Sequence, residues 1–162
     1  MRLIAVLLLS LVLLAAKVEA GEVVVAPPGP TSVCPVCGMF VAKYPEWVAA
    51  VVFKDGHTHY FDGAKDLFKF MRDIAGYAPG HGSGEIAIVA VTDYYGVKTL
   101  DARGAFFVVG SDVLGPMGHE LVPLASKADA DEFMADHKGK RILTFDQIGA
   151  ELLKNLDKGG VK

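Results

Sequence analysis

The sequence predicts an α+β fold of two ββα-type halves, a mainly antiparallel sheet packed against short helices. Strand-like runs follow one another through tight turns instead of long crossovers, which favours antiparallel neighbours. Each half closes its strands with a helical period. A glycine-rich stretch, residues 76–84 (GYAPGHGSG), divides the halves at about 33–76 and about 85–156.

Residues 1–20 read as a secretory signal peptide. Arg2 precedes an apolar run from Leu3 to Ala16, and Val18 and Ala20 stand at the −3 and −1 positions of a cut before Gly21. This run of fourteen residues, interrupted only by Ser10, reaches only about 21 Å as a helix, short of the ~30 Å hydrocarbon core. No cysteine follows the run to carry a lipid, so a periplasmic chain is expected, not integral to the membrane after cleavage. Residues 21–32 hold three prolines and form an extended arm, and residues 33–162 form one domain.

Within that domain Trp47–Phe53 is a strand, Lys54-Asp55-Gly56-His57 a hairpin turn and Thr58–Phe61 its return. Asp62 is placed to cap the next helix, whose apolar face is Ala64, Leu67, Phe68 and Met71. After the glycine-rich loop, Ile86–Val91, Gly96–Asp101 and Ala105–Val109 read as strands, Gly110–Gly118 as a loop and Glu120–Leu124 as a strand. Ser126 opens a helix in capping-box fashion, with Ala130, Phe133, Met134 and His137 on one face. A strand at Arg141–Phe145 and a helix at Gln147–Leu156 follow.

Composition excludes several functions. With 52% hydrophobic and 22% charged residues the chain is not disordered. Sixteen Lys and Arg against 19 Asp and Glu leave no basic excess for nucleic acid. Two cysteines cannot staple a disulfide scaffold. Sequence motifs for nucleophilic, metalloprotease or phosphate-binding chemistry are absent, so an enzyme is not expected.

The chemistry concentrates in Cys34-Pro35-Val36-Cys37-Gly38-Met39, three sulfur donors within six residues. A C-x-x-C pair admits a disulfide, a redox pair or a metal site. The redox reading wants a helix N-terminus, which Gly38 and Pro45 do not favour. A thioether beside thiolates inclines a metal site towards Cu(I). Met71 and Met134 sit on helix faces as packing residues. Met117 lies instead in Gly115-Pro116-Met117-Gly118-His119, which presents it either as a ligand or as a loop residue tucked on a sheet edge. His119 is a nitrogen donor or a solvated loop residue. His57 and His59 straddle the hairpin turn and with Cys34 and Cys37 complete a Cys2His2 inventory. His81 reads as loop and His137 as a helix C-terminal cation.

The runs CPVCGMFVAKYPEWVAAVVFKDGHTHYFDGAKDLFKFM and SDVLGPMGHELVPLASKADADEFM resemble the NosL family, accessory proteins of nitrous oxide reductase, over about residues 33–145. The resemblance implies a fold of paired ββα-type units and a non-catalytic, extracytoplasmic protein. It implies a Cu(I) chaperone that passes copper towards a membrane transporter-linked assembly protein and the reductase. By motif match, C-G-M supplies Cys37 and Met39, and G-P-M-G supplies Met117; Cys34 and His119 are the further candidate donors. Family members are commonly lipoproteins, whereas this chain has no lipidation cysteine, and Cys34 adds a second thiol. The alternatives are a thiol–disulfide protein using Cys34 and Cys37 and a structural zinc domain that binds another protein. If Met117 is a ligand, its loop folds over the Cys34–Met39 segment, in which extended backbone turns Cys37 and Met39 to one side.

Overall fold

The computed structural model describes residues 19–161, so the expected leader, apart from Glu19 and Ala20, lies outside the described residues. The chain enters as an arm over residues 19–32, makes a tight loop at Cys34–Met39 and passes through two single 3-10 turns, Val41–Lys43 and Pro45–Trp47. Strand β1 (Ala49–Phe53) therefore starts later than the expected Trp47, because Pro45 opens a helical turn that takes in Glu46 and Trp47. Gly56 takes φ +88° in the turn to β2 (Thr58–Phe61), a left-handed value that a Cβ would oppose.

Helix α1 (Ala64–Arg72) and the single turn α2 (Ile74–Tyr77) follow, then β3 (Ile86–Thr92), β4 (Thr99–Asp101) and β5 (Phe106–Val109). The expected loop at 110–118 carries its own small hairpin, β6 (Leu114–Gly115) and β7 (Gly118–His119), with Pro116 and Met117 at the tip. Strand β8 (Val122–Leu124), helix α3 (Lys127–Asp136), strand β9 (Arg141–Thr144) and helix α4 (Ala150–Asp157) complete the order. Ser126 caps α3 as expected, its Oγ accepting from the Asp129 N–H at 3.1 Å.

Every pairing between these strands is antiparallel. One sheet has the order β2-β1-β3-β4 and a second has β8-β5-β9. The expected division at residues 76–85 does not coincide with the sheets, because β3 and β4 join the first one. Val51 lies opposite Val89, and Val89 and Val91 extend the same buried face as Ala49, Val51 and Phe53. The sheets change over between Asp101 and Phe106.

Helix α1 is the common wall. Phe70 packs on Phe61 and Phe53 of the first sheet, with ring centres 5.1 and 6.5 Å away. Phe68 packs on Phe107 of the second sheet and on Phe145, at 5.3 and 5.0 Å. Leu152, Leu153 and Leu156 of α4 close this core. Strand β5 shows the period of two: Phe107 and Val109 face the main core, while Phe106 and Val108 face a smaller one with Phe133 of α3. Among the described residues no helix is long and apolar enough to cross a membrane.

Candidate metal centre

The Cys34–Met39 segment is a closed knuckle, not the extended run expected. The Gly38 N–H donates to the Cys34 carbonyl and the Cys34 N–H to the Met39 carbonyl, both at 2.9 Å. Gly38 takes φ +80°, which reverses the chain and lets Val33 and Phe40 pair across the base. Turning on itself this way, the backbone aims its own N–H groups at sulfur, those of Val36 and Cys37 at the Cys34 thiol and that of Met39 at the Cys37 thiol.

The knuckle rests on the start of α1. Cys34 is fully buried and Cys37 half-buried, and both are free thiols. Cys37 Sγ donates to Asp62 Oδ1 at 3.2 Å, and Cys34 Sγ to Asp66 Oδ2 at 3.5 Å. Asp62 is thus not the expected helix cap. Gly63 holds the N-cap position without a side-chain bond, and Asp62 turns inward to the thiol. A donor atom from each of Cys34, Cys37, Asp62 and Asp66 lies within 4.8 Å of the others.

Electrostatically the cluster sets two thiols against two carboxylates. Both carboxylates are buried, and Lys69 reaches Asp66 at 3.2 Å from the helix surface. The second oxygen of Asp62 is buried and without a partner. Such an oxygen costs free energy unless a donor or an ion meets it. Burial pushes the Cys34 thiol up to about 11. Burial raises Cys37 further, and its hydrogen bonds to Cys34, Asp62 and Asp66 add to that, opposed by the Met39 N–H. Without an ion, both thiols keep their protons at neutral pH.

The Met117 hairpin is drawn to the same end of α1 by two buried polar side chains. The Lys65 ammonium, on a side chain only 2% exposed, donates to the carbonyls of Met117 and His119 at 3.1 and 3.0 Å. The carboxylate of Glu120 accepts from the Lys65 N–H at 2.6 Å, capping α1 from a residue 55 positions away. Gly63 permits this approach, since a Cβ there would stand 2.3 Å from the Glu120 carboxylate. Burial raises the Glu120 carboxyl to about 8, against the N–H groups and the Lys65 charge that favour its ionised form.

Of the donors expected from the sequence, Cys34 and Cys37 meet in one cluster. Met39 is half-buried at the knuckle, and Met117 is 46% exposed at the hairpin tip that Lys65 ties to α1. The His119 imidazole lies beside Gly159, past the end of α4. His57 and His59 do not join the thiols. Their rings lie 4.8 Å apart, and that of His57 lies 5.5 Å from His81. Burial, then the charge of these two neighbours, holds His59 below the ordinary imidazole range.

Sequence reasoning missed Asp66 and assigned Asp62 elsewhere. The available signal was a pair of acids four positions apart around the start of α1.

Comparisons with known proteins bear on the family and the fold. The NosL family model matches residues 26–153. The copper-binding lipoprotein NosL of Stutzerimonas stutzeri is 29% identical over 127 residues, which cover 75% of this chain and 64% of that protein. The crystal structure of the copper chaperone NosL from Shewanella denitrificans superposes with a TM-score of 0.66 at 27% identity, covering 78% of this chain and 96% of that one.

Proposed function

The chain belongs to the NosL family, and from that premise we propose that it is a Cu(I)-binding chaperone, not an enzyme. It works outside the cytoplasm after loss of residues 1–20, and copper is its cargo. The recipient is a copper enzyme, foremost nitrous oxide reductase, reached directly or through a membrane transporter-linked assembly protein.

One observation carries the reading: Cys34 and Cys37 meet as free thiols in one cluster, in the knuckle that also holds Met39. A cuprous ion answers that arrangement. Soft thiolate and thioether ligands select Cu(I), and the entering ion replaces the thiol protons. Cys37, Met39 and Met117 hold the ion in this reading, with Cys34 beneath it and His119 as a further donor. Asp62 accepts the Cys37 S–H bond and is the nearest base for its proton. The exposed Met117 is the ligand that a recipient displaces first.

The buried carboxylates favour a second reading, because hard oxygen donors suit Zn(II) better than Cu(I). Titration against a chromogenic Cu(I) chelator, repeated with equal Zn(II), separates the two. The proposal expects one Cu(I) per chain, undisturbed by zinc, and loss of that binding in Cys37→Ser and in the Met39→Leu, Met117→Leu double variant. Displacement of copper by zinc, or full affinity in the double variant, would count against it.

A further inference from the structure

At the turn end of the β1–β2 hairpin stands a second cluster of metal-binding side chains. His59 lies three positions up β2 from Asp62, roughly 10 Å along an extended strand. His57 and His59 are two positions apart and project to one side of the hairpin, with ring centres 4.8 Å apart. His81 comes from the glycine-rich loop, stacks on Phe53 with ring centres 4.1 Å apart, and brings its ring to 5.5 Å from that of His57. Lys54 fastens this loop to the turn, donating to the Gly84 carbonyl at 2.8 Å.

We propose that His57, His59 and His81 form a second metal site, separate from the sulfur site, for a borderline divalent cation that prefers imidazole.

Three observations carry this. Two imidazoles bound tetrahedrally to one ion at about 2.0–2.1 Å place their ring centres about 5 Å apart, and the His57–His59 and His57–His81 separations bracket that value, with His57 the shared member from which the other two rings close in. His81 Nε2 lies 2.9 Å from Asp55 Oδ2, an outer carboxylate that orients the ring and leaves Nδ1 for a ligand. The Nε2 of His59 is buried and has no hydrogen-bond partner, so its bonding capacity is unspent. His57 is exposed, which gives an ion a path in. Imidazole donors without sulfur suit Zn(II), Ni(II) or Cu(II) over Cu(I).

Zn(II) is the probe, titrated calorimetrically into the Cys34→Ser, Cys37→Ser chain so that the thiols take no part. One equivalent is expected, abolished by adding His57→Ala and weakened about tenfold by Asp55→Asn. In the native chain, should the cysteine variant fail to fold, Zn(II) is expected to shift the ring resonances of His57, His59 and His81 and to leave those of His119 and His137 in place. Absence of zinc uptake, or uptake indifferent to His57→Ala, would overturn the site. Cu(I) affinity in His57→Ala is measured separately and is expected to match the native chain, so this proposal and the copper reading fail by different results.

Discussion

The ammonium of Lys65 donates to the carbonyl oxygen of Met117 at 3.1 Å, joining the first turn of α1 to the tip of a hairpin 52 positions later. The same ammonium bonds the His119 carbonyl and pairs with Asp157 at 3.4 Å, so a single buried lysine holds the hairpin, α1 and α4 together. In the proposed function this bond presents the Met117 thioether, although Lys65 itself touches no copper.

Lys65→Met removes these donors and leaves the Glu120 carboxyl without its buried counter-charge. Breaking a buried charged arrangement from one side costs about 3–5 kcal/mol. Chemical denaturation is expected to show a loss of that size. In variant molecules still folded, Cu(I) is expected to leave faster while Cys37 and Met39 remain in place. An unchanged off-rate would mean that the hairpin holds its position without the lysine.

Glu120 makes stability depend on pH in an unusual direction for an acid. Its folded value is raised to about 8 from an ordinary 4.5. Its contribution is therefore complete below about 4.5 and declines as pH rises towards about 8, because the unfolded chain ionises first. Glu120→Gln keeps an oxygen for the Lys65 N–H but does not titrate. Urea unfolding across that window is expected to show the native chain losing stability relative to the variant as pH rises, and a constant difference would contradict the raised value.

Copper affinity rises with pH, because both thiols are protonated in the free protein. Each thiol that becomes a ligand gives up one proton, so log affinity gains about one unit per pH unit per thiol. Chelator competition at several pH values reads the number directly. A slope near two places Cys34 on the ion with Cys37, and a slope near one leaves Cys34 as a protonated support.

Asp62→Asn removes the acceptor charge beside Cys37 and keeps the shape. The thiol then ionises more readily in the free protein, whereas bound copper loses a neighbouring negative charge. Outer carboxylates of metal ligands are typically worth about 10–100-fold in affinity. Cu(I) binding is expected to weaken by about tenfold or more, with the melting temperature held or raised, since a buried and half-satisfied carboxylate is gone.

Much of this architecture was legible in local pattern. The apolar face of α1, the Ser126 cap, the glycine turn between β1 and β2, and the sulfur-bearing C-G-M and G-P-M-G segments all declare themselves within a few residues. What stayed hidden acts at long range. An acid before a helix reads as a cap, and nothing local distinguishes Asp62, facing a thiol 25 positions back, from one that caps. The true cap of α1 is Glu120, visible only once the second sheet is folded against the first. The sheet division was obscured for the same reason: β3 alternates well enough to begin a new half, and only its register with β1 assigns it to the old one.

The arm that enters the domain has a bearing on self-association. The Val23 N–H donates to the Thr99 carbonyl at 3.0 Å and the Asp101 N–H to the Gly21 carbonyl at 2.8 Å, with Glu22 opposite Leu100. Strand β4 is thereby covered along the edge that faces away from β3. An uncovered edge is a template on which another chain can stack, and a short segment laid over it withholds that template. A chain trimmed back to Val25 would bare three residues of open ladder, and its colloidal behaviour, more than its affinity for any ion, is where the loss would register.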